Sequence, residues 1–375
     1  MALLYDDRIP GQPGVHALLI GVGQYPHLGP NHQLGQFAPN SGLEQLTSPL
    51  HSVEAFANWL QTDLRVTDTP LRSLRILGSA PDRHAPWQDS EPTFAKIEQY
   101  THDWYDDVDD HEDSLALFYF CGHGLRVGDV HSLLAQDFGA SRHNPFGRAI
   151  EPEKFANAMR KAKARRQIYL IDACSTSVPL PEDYDDVTPS SVIQAVRGNH
   201  YAGKQLAYIR ASEFGTKAYG VENQPSVFMA SFLEAMKGAA ALKRGPAQWV
   251  VKTGMLKTAL DWLIQRHANG HGQEVAYGAG LSSAVDFHEL PGFPLVPVQV
   301  SCDPPDFEAC SSLHVDNAQQ CAAGESPWDL DLAFGKHDFE AIEFDSGEKL
   351  VHGQTLAEHV SPPYATVSIP CGDPQ

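Results

Sequence analysis

The chain has 375 residues and a formal net charge of −20, from 27 Lys plus Arg against 47 Asp plus Glu. So acidic a surface repels phosphate backbones and excludes a general nucleic-acid binder. Hydrophobic residues at 42% and charged residues at 20% describe a folded protein with a sizeable core, and at about 100–200 residues per domain two domains are expected.

The opening Met-Ala-Leu-Leu-Tyr-Asp-Asp-Arg carries acid where a signal peptide carries base, and no apolar run approaches the ~20 residues of a membrane span. A cytoplasmic protein with no membrane partner is expected. Short apolar runs at residues 15–21, 74–77, 115–120, 168–171 and 206–209, rich in branched and aromatic side chains, read as buried strands. Helical patterns lie between them. Val53, Phe56, Ala57 and Leu60 share one face, as do Phe155, Ala158, Met159 and Ala162, and two further helical stretches cover residues 227–242 and 253–267. Alternating strand and helix predicts an α/β fold with a mostly parallel sheet, helices on both faces, and chemistry beyond the carboxyl ends of the strands. The acidic stretch at residues 103–113 and the cluster Glu182, Asp183, Asp185 and Asp186 read as solvated loops, with divalent-cation binding, calcium included, as the minor alternative.

Three prolines within residues 291–297 mark a linker, which sets the domains at 1–290 and 291–375. Beyond it, strand-like runs at 298–300, 313–315, 330–333, 341–344 and 365–369 suggest a small all-β, sandwich-like domain. The tail also holds Cys302, Cys310, Cys321 and Cys371, which lack the paired Cys-x-x-Cys spacing of a zinc site and read as ordinary thiols. No metal site is expected. Gly21-Val22-Gly23 meets Pro26 where a dinucleotide fingerprint needs its third glycine, so no nucleotide cofactor is expected either.

Two strand ends carry candidate chemistry. Residues 115–120 run into Cys121-Gly122-His123-Gly124, and residues 168–171 run into Asp172-Ala173-Cys174-Ser175-Thr176. A single right-handed crossover joins the two strands, which brings a thiol and an imidazole to one sheet edge, a nucleophile and a proton carrier for acyl transfer. Cys121 beside His123 reads as a packed thiol.

In these residues the chain resembles caspase-like cysteine proteases, the caspase and metacaspase group in its bacterial form. The histidine lies 51 residues before the cysteine, and the family's first strand, first helix and small-subunit start are similar to residues 17–25, 50–60 and 208–235. The resemblance covers about residues 14–290 and implies a six-stranded, mostly parallel sheet, with a large-subunit part to about residue 175, a linker to about 205, and a small-subunit part after it. It implies Cys174 as nucleophile, His123 as catalytic histidine, and the backbone N–H groups of Gly124 and Cys174 as the oxyanion hole. Asp172 matches the metacaspase pocket acid that receives a basic residue, and Ser52 fills the slot where metacaspases usually carry a second acid. The implied activity is cleavage of protein substrates after Arg or Lys, without a cofactor, by a zymogen cut after Arg197 or Lys204, in a defence or cell-death pathway. The tail would dock a regulatory or activating protein. The alternatives are a caspase-fold pseudoenzyme acting as a scaffold and, below it, a thiol oxidoreductase using Cys121 and Cys174.

Overall fold

The computed structural model describes residues 3–28, 43–141, 143–177, 187–194, 203–212, 218, 220–267, 273, 275–277, 284–345, 348–351 and 356–371. The chain divides into two compact units, Met1–Leu233 with Ile264–His288 and Glu234–Leu263 with Glu289–Gln375.

In chain order the elements are β1 (Leu3–Asp6), β2 (Val15–Val22), α1 (Ser48–Thr62), β3 (Leu71–Ser79), α2 (Phe94–Val108), β4 (Leu115–Gly122), β5 (Gly124–Val127), β6 (Val130–Leu134), β7 (Ala149–Ile150), α3 (Pro152–Met159), β8 (Arg166–Ala173), β9 (Thr176–Ser177), β10 (Gln205–Arg210) and α4 (Val227–Glu234). They continue through β11 (Ala241–Lys243), β12 (Trp249–Lys252) and α5 (Thr253–His267) to β13 (Ala276–Tyr277) and β14 (Asp286–Glu289).

The first unit is built on a seven-stranded sheet in the order β1-β3-β2-β4-β8-β10-β13. The five strands from β3 to β10 are parallel, and short antiparallel strands close both edges. The mostly parallel α/β sheet expected from the sequence is therefore present, with seven strands rather than six. β2 and β4 are buried along their whole length and β8 from Gln167 onward, as strands covered on both faces must be. The two-residue period of β4 sorts its aromatics. Phe118 packs on Phe155 of α3 at a ring separation of 4.9 Å, while Tyr119 points the other way and meets Phe56 of α1 edge-on at 5.5 Å.

Three local readings change. The acidic stretch is not wholly a solvated loop: residues 103–108 form the last turns of α2, because Ile97, Thr101, Trp104 and Val108 make a buried stripe. Asp107 goes inward with that turn, is 8% exposed, and pairs with Arg75, with Arg8 and with the Ser73 hydroxyl. The helical stretch from 227 ends early. α4 gives way to a π-helical turn at Ala235–Ala239, where Gly238 takes φ 152°, and the chain continues as β11. Within the tail, strands also form at Ala318–Cys321, Glu348–Val351 and Leu356–Val360, where no strand-like run is evident.

The second unit contains β15 (Leu295–Asp303), β16 (Ser312–Val315), β17 (Ala318–Cys321), β18 (Trp328–Ala333), β19 (Gly335–Asp345), β20 (Glu348–Val351), β21 (Leu356–Val360) and β22 (Ala365–Pro370). They form one sheet in the order β18-β15-β22 and a second in the order β17-β16-β19-β20, with β21 also on β19. Val298, Trp328 and Ile369 from the first sheet and Leu313 and Phe339 from the second share one core, the sandwich arrangement expected. All six cysteines carry free thiols, and that of Cys371 donates to the Ile369 carbonyl at 3.4 Å.

Candidate active site

The parallel pairing of β4 with β8 sets Cys121 opposite Asp172 and Gly122 opposite Ala173. The next step along both strands is His123 and Cys174, on neighbouring strands spaced about 4.8 Å apart. Past this point the two chains stay together: β5 follows His123 and pairs in parallel with β9, which follows Cys174. The two motifs are thus stitched into adjacent positions at the carboxyl edge.

His123 is 5% exposed, and its environment fixes its chemistry. Nε2 lies 2.6 Å from the backbone carbonyl of Glu44. A carbonyl only accepts, so Nε2 carries the proton and Nδ1 keeps a lone pair. Burial pushes the imidazole down to about 4, so it is neutral at physiological pH and available as a base. Its backbone N–H donates to the Tyr25 hydroxyl at 2.8 Å, and the two rings pack at 4.8 Å. Gly122 makes room for that contact, since a Cβ there would lie 2.8 Å from the hydroxyl oxygen. The Cys174 thiol is half-buried and accepts from the Ala218 N–H at 3.4 Å.

Gly124 has two structural relations to Cys174. The Leu134 N–H donates to the His123 carbonyl at 3.0 Å, which makes His123 and Leu134 a hydrogen-bonded pair. Ladder alternation then turns the N–H of Gly124 away from β6, toward the side on which β9 runs. A Cβ on Gly124 would also lie 2.3 Å from the Cys174 carbonyl oxygen, so only glycine fits.

Asp172 lies on the opposite face of β8 from Ile171 and Ala173, toward α1 and the start of α4. It is 3% exposed, and its Oδ2 accepts from the Tyr119 hydroxyl at 2.8 Å and from the Ser226 hydroxyl. Burial raises its pKa, partly offset by those donors and the Cys121 thiol. Ser52 sits in the same cluster. Its hydroxyl donates to the Ser48 carbonyl and accepts from the Ser226 N–H, both at 2.9 Å. Ser226 in turn caps α4 by accepting the Met229 N–H at 3.0 Å.

Of the two expected processing positions, Lys204 alone is among the described residues. Arg197, like the acidic cluster 182–186, lies outside the described residues. Lys204 precedes β10 beside Arg166, at the far end of β8, about eight residues or 26 Å from Cys174. Its Nζ donates to the carbonyls of Ala162, Lys163 and Ala164, the last two at 3.0 Å. Among the described residues no group of three or more His, Cys, Asp or Glu side chains is arranged to hold a metal ion, and no helix is long and apolar enough to cross a membrane.

The Caspase domain model of the Peptidase_C14 family matches residues 15–251. The chain belongs to this caspase family. The matched span contains both strand-end motifs and the whole Asp172 cluster. An uncharacterized protein of Sinorhizobium fredii, y4kE, is 26% identical over 220 residues, which is 56% of this chain and 60% of that protein. The crystal structure of caspase-1 from Spodoptera frugiperda aligns over 72% of this chain and 90% of its own, at 13% identity and a TM-score of 0.43.

Sequence reasoning missed four contributors to this caspase-family site. The Glu44 carbonyl and the Tyr25 hydroxyl hold His123, and Tyr119 and Ser226 hold Asp172. None belongs to a motif of its own, although Tyr119 is a hydroxyl in an otherwise apolar strand, which is a readable signal for buried polar work.

Proposed function

We propose that this caspase-family chain is a cysteine endopeptidase that cleaves protein substrates after Arg or Lys through His123 and Cys174. The register of β4 on β8, which makes the two residues cross-strand neighbours at the carboxyl edge, carries this reading. As the Cys174 sulfur bonds to the scissile carbonyl carbon, its proton passes to the lone pair on Nδ1 of His123, and the carbonyl π electrons move onto oxygen. The N–H groups of Gly124 and Cys174 receive that oxyanion, each worth about 3–4 kcal/mol in comparable sites. Collapse breaks the C–N bond, and the His123 imidazolium protonates the departing amine. Water then hydrolyses the thioester, with His123 taking its proton. The Glu44 carbonyl orients the ring throughout.

Basic selectivity is supported by Asp172, a buried carboxylate two residues before the nucleophile, whose present partners are neutral donors. A guanidinium or ammonium group would supply the charge that burial denies it. Ser52 adds a hydroxyl and no second charge, which favours a single-acid pocket. Maturation by a cut after Arg197 remains part of the proposal. At Lys204 a cut would first have to release three carbonyl bonds.

A positional scan of fluorogenic peptides tests all of this. Cleavage after Arg or Lys is expected from the wild type and none from Cys174→Ala or His123→Ala, with Asp172→Asn strongly weakened. Cleavage after Asp would overturn the pocket assignment, and activity surviving Cys174→Ala would overturn the mechanism.

A further inference from the structure

The peptide planes on both sides of Cys174 are held by buried side chains that lie outside the two strand-end motifs. The carbonyl of Ala173 accepts from the Ser212 hydroxyl at 2.9 Å, and the carbonyl of Cys174 lies 3.2 Å from Nε2 of His131. Ser212 is 0% exposed and His131 is 2% exposed. Because the Cys174 carbonyl can only accept, the His131 proton is on Nε2. Among the described residues its Nδ1 has no hydrogen-bond partner, although Glu153 Oε1 stands 4.0 Å away and is itself 3.7 Å from Arg210. Among those residues the firm bond of this imidazole is to the carbonyl of Cys174 itself.

From this geometry we infer that His131 and Ser212 are positioning residues that set the direction of the Cys174 thiol and of the oxyanion-binding N–H. A residue's Cα–Cβ direction follows from the two peptide planes it joins, and here both planes are pinned. The Ala173 carbonyl and the Cys174 N–H share one plane and point to opposite sides of it. Holding the carbonyl toward Ser212 thus aims the N–H away from Ser212, to the side where the oxyanion forms. His131 pins the second plane and so fixes ψ of Cys174. Gly124 has a further role in this arrangement. A Cβ there would lie 2.9 Å from Nε2 of His131 as well as 2.3 Å from the Cys174 carbonyl oxygen, so it would wedge apart the bond between them. The motif glycine both offers an N–H and vacates the space through which His131 reaches the nucleophile loop. The inference rests on the proposed peptidase chemistry only for its catalytic consequence.

Two measurements separate these parts. Amide hydrogen exchange at residues 174–176 reports the positioning itself, whatever the chemistry. It is expected to quicken at least about tenfold in His131→Leu and Ser212→Ala, while His131→Gln and Ser212→Thr, which keep a donor, return it toward wild type. Peptide kinetics report the consequence: kcat about ten- to a hundred-fold lower in His131→Leu at nearly constant KM, with recovery in His131→Gln. Unfolding midpoints of each variant identify those that fail to fold, and the Gln and Thr forms carry the test if the Leu or Ala forms do. Unchanged exchange in His131→Leu and Ser212→Ala overturns the inference. An inactive wild type with the expected exchange pattern overturns the peptidase reading instead.

Discussion

Acidification should unfold the first unit well before its carboxylates are protonated. His16, His123 and His131 are each at most 5% exposed, and burial pushes each from 6.5 down to about 4. With the folded value below the unfolded one, the unfolded chain binds more protons between pH 6.5 and 4. Stability is therefore complete above pH 6.5 and falls as pH drops toward 4. At pH 5 an unfolded imidazole is about 97% protonated and a buried one about 9%, a loss of about 2 kcal/mol for each histidine. Three together lose about 6 kcal/mol, comparable with the whole net stability of an ordinary domain, about 5–15 kcal/mol. Asp172 works in the opposite sense, since its raised pKa makes its burial easier as pH falls. Urea unfolding followed by circular dichroism at pH 7.5, 6.0 and 5.0 should show a midpoint that drops steeply over the last interval. His16→Gln, remote from Cys174 at the start of β2, should remove about a third of that drop. A midpoint that is flat from pH 7.5 to 5.0 would refute the assignment of three neutral buried imidazoles.

Other outcomes follow from single contacts. Tyr25→Phe leaves the buried His123 N–H without its acceptor and should cost about 1–3 kcal/mol of stability in denaturant unfolding, with a fall in the proposed peptidase activity from the loosened imidazole. Asp107→Asn strands the Arg75 guanidinium, 4% exposed, and should destabilise by about 3–5 kcal/mol; a change within 0.5 kcal/mol would mean that the pair is not buried in solution. Lys204→Met frees three carbonyls beyond α3 and should lower the unfolding midpoint while leaving the proposed processing intact, whereas under that proposal Arg197→Ala should leave a single uncut chain by intact mass.

The sequence alone determined the strands that matter. Residues 115–120 and 168–171 are apolar on both faces, a pattern that survives only in the middle of a covered parallel sheet, and each ends in small polar residues where such sheets place their chemistry. The placing of His123, Cys174 and Asp172 at one sheet edge was legible for that reason: each lies at the end of a strand whose burial is local information. Asp107 was misread because charge was weighed above period, when the stripe Ile97, Thr101, Trp104, Val108 was equally present in the letters. What only the tertiary structure decided are the partners reached across long loops. Glu44 arrives from before α1, Ser226 from before α4, His131 from β6 and Ser212 from beyond β10. Their contributions are backbone carbonyls and single hydrogen bonds, which follow no period along the chain. Strand register brings them to one edge, and only the folded sheets set that register.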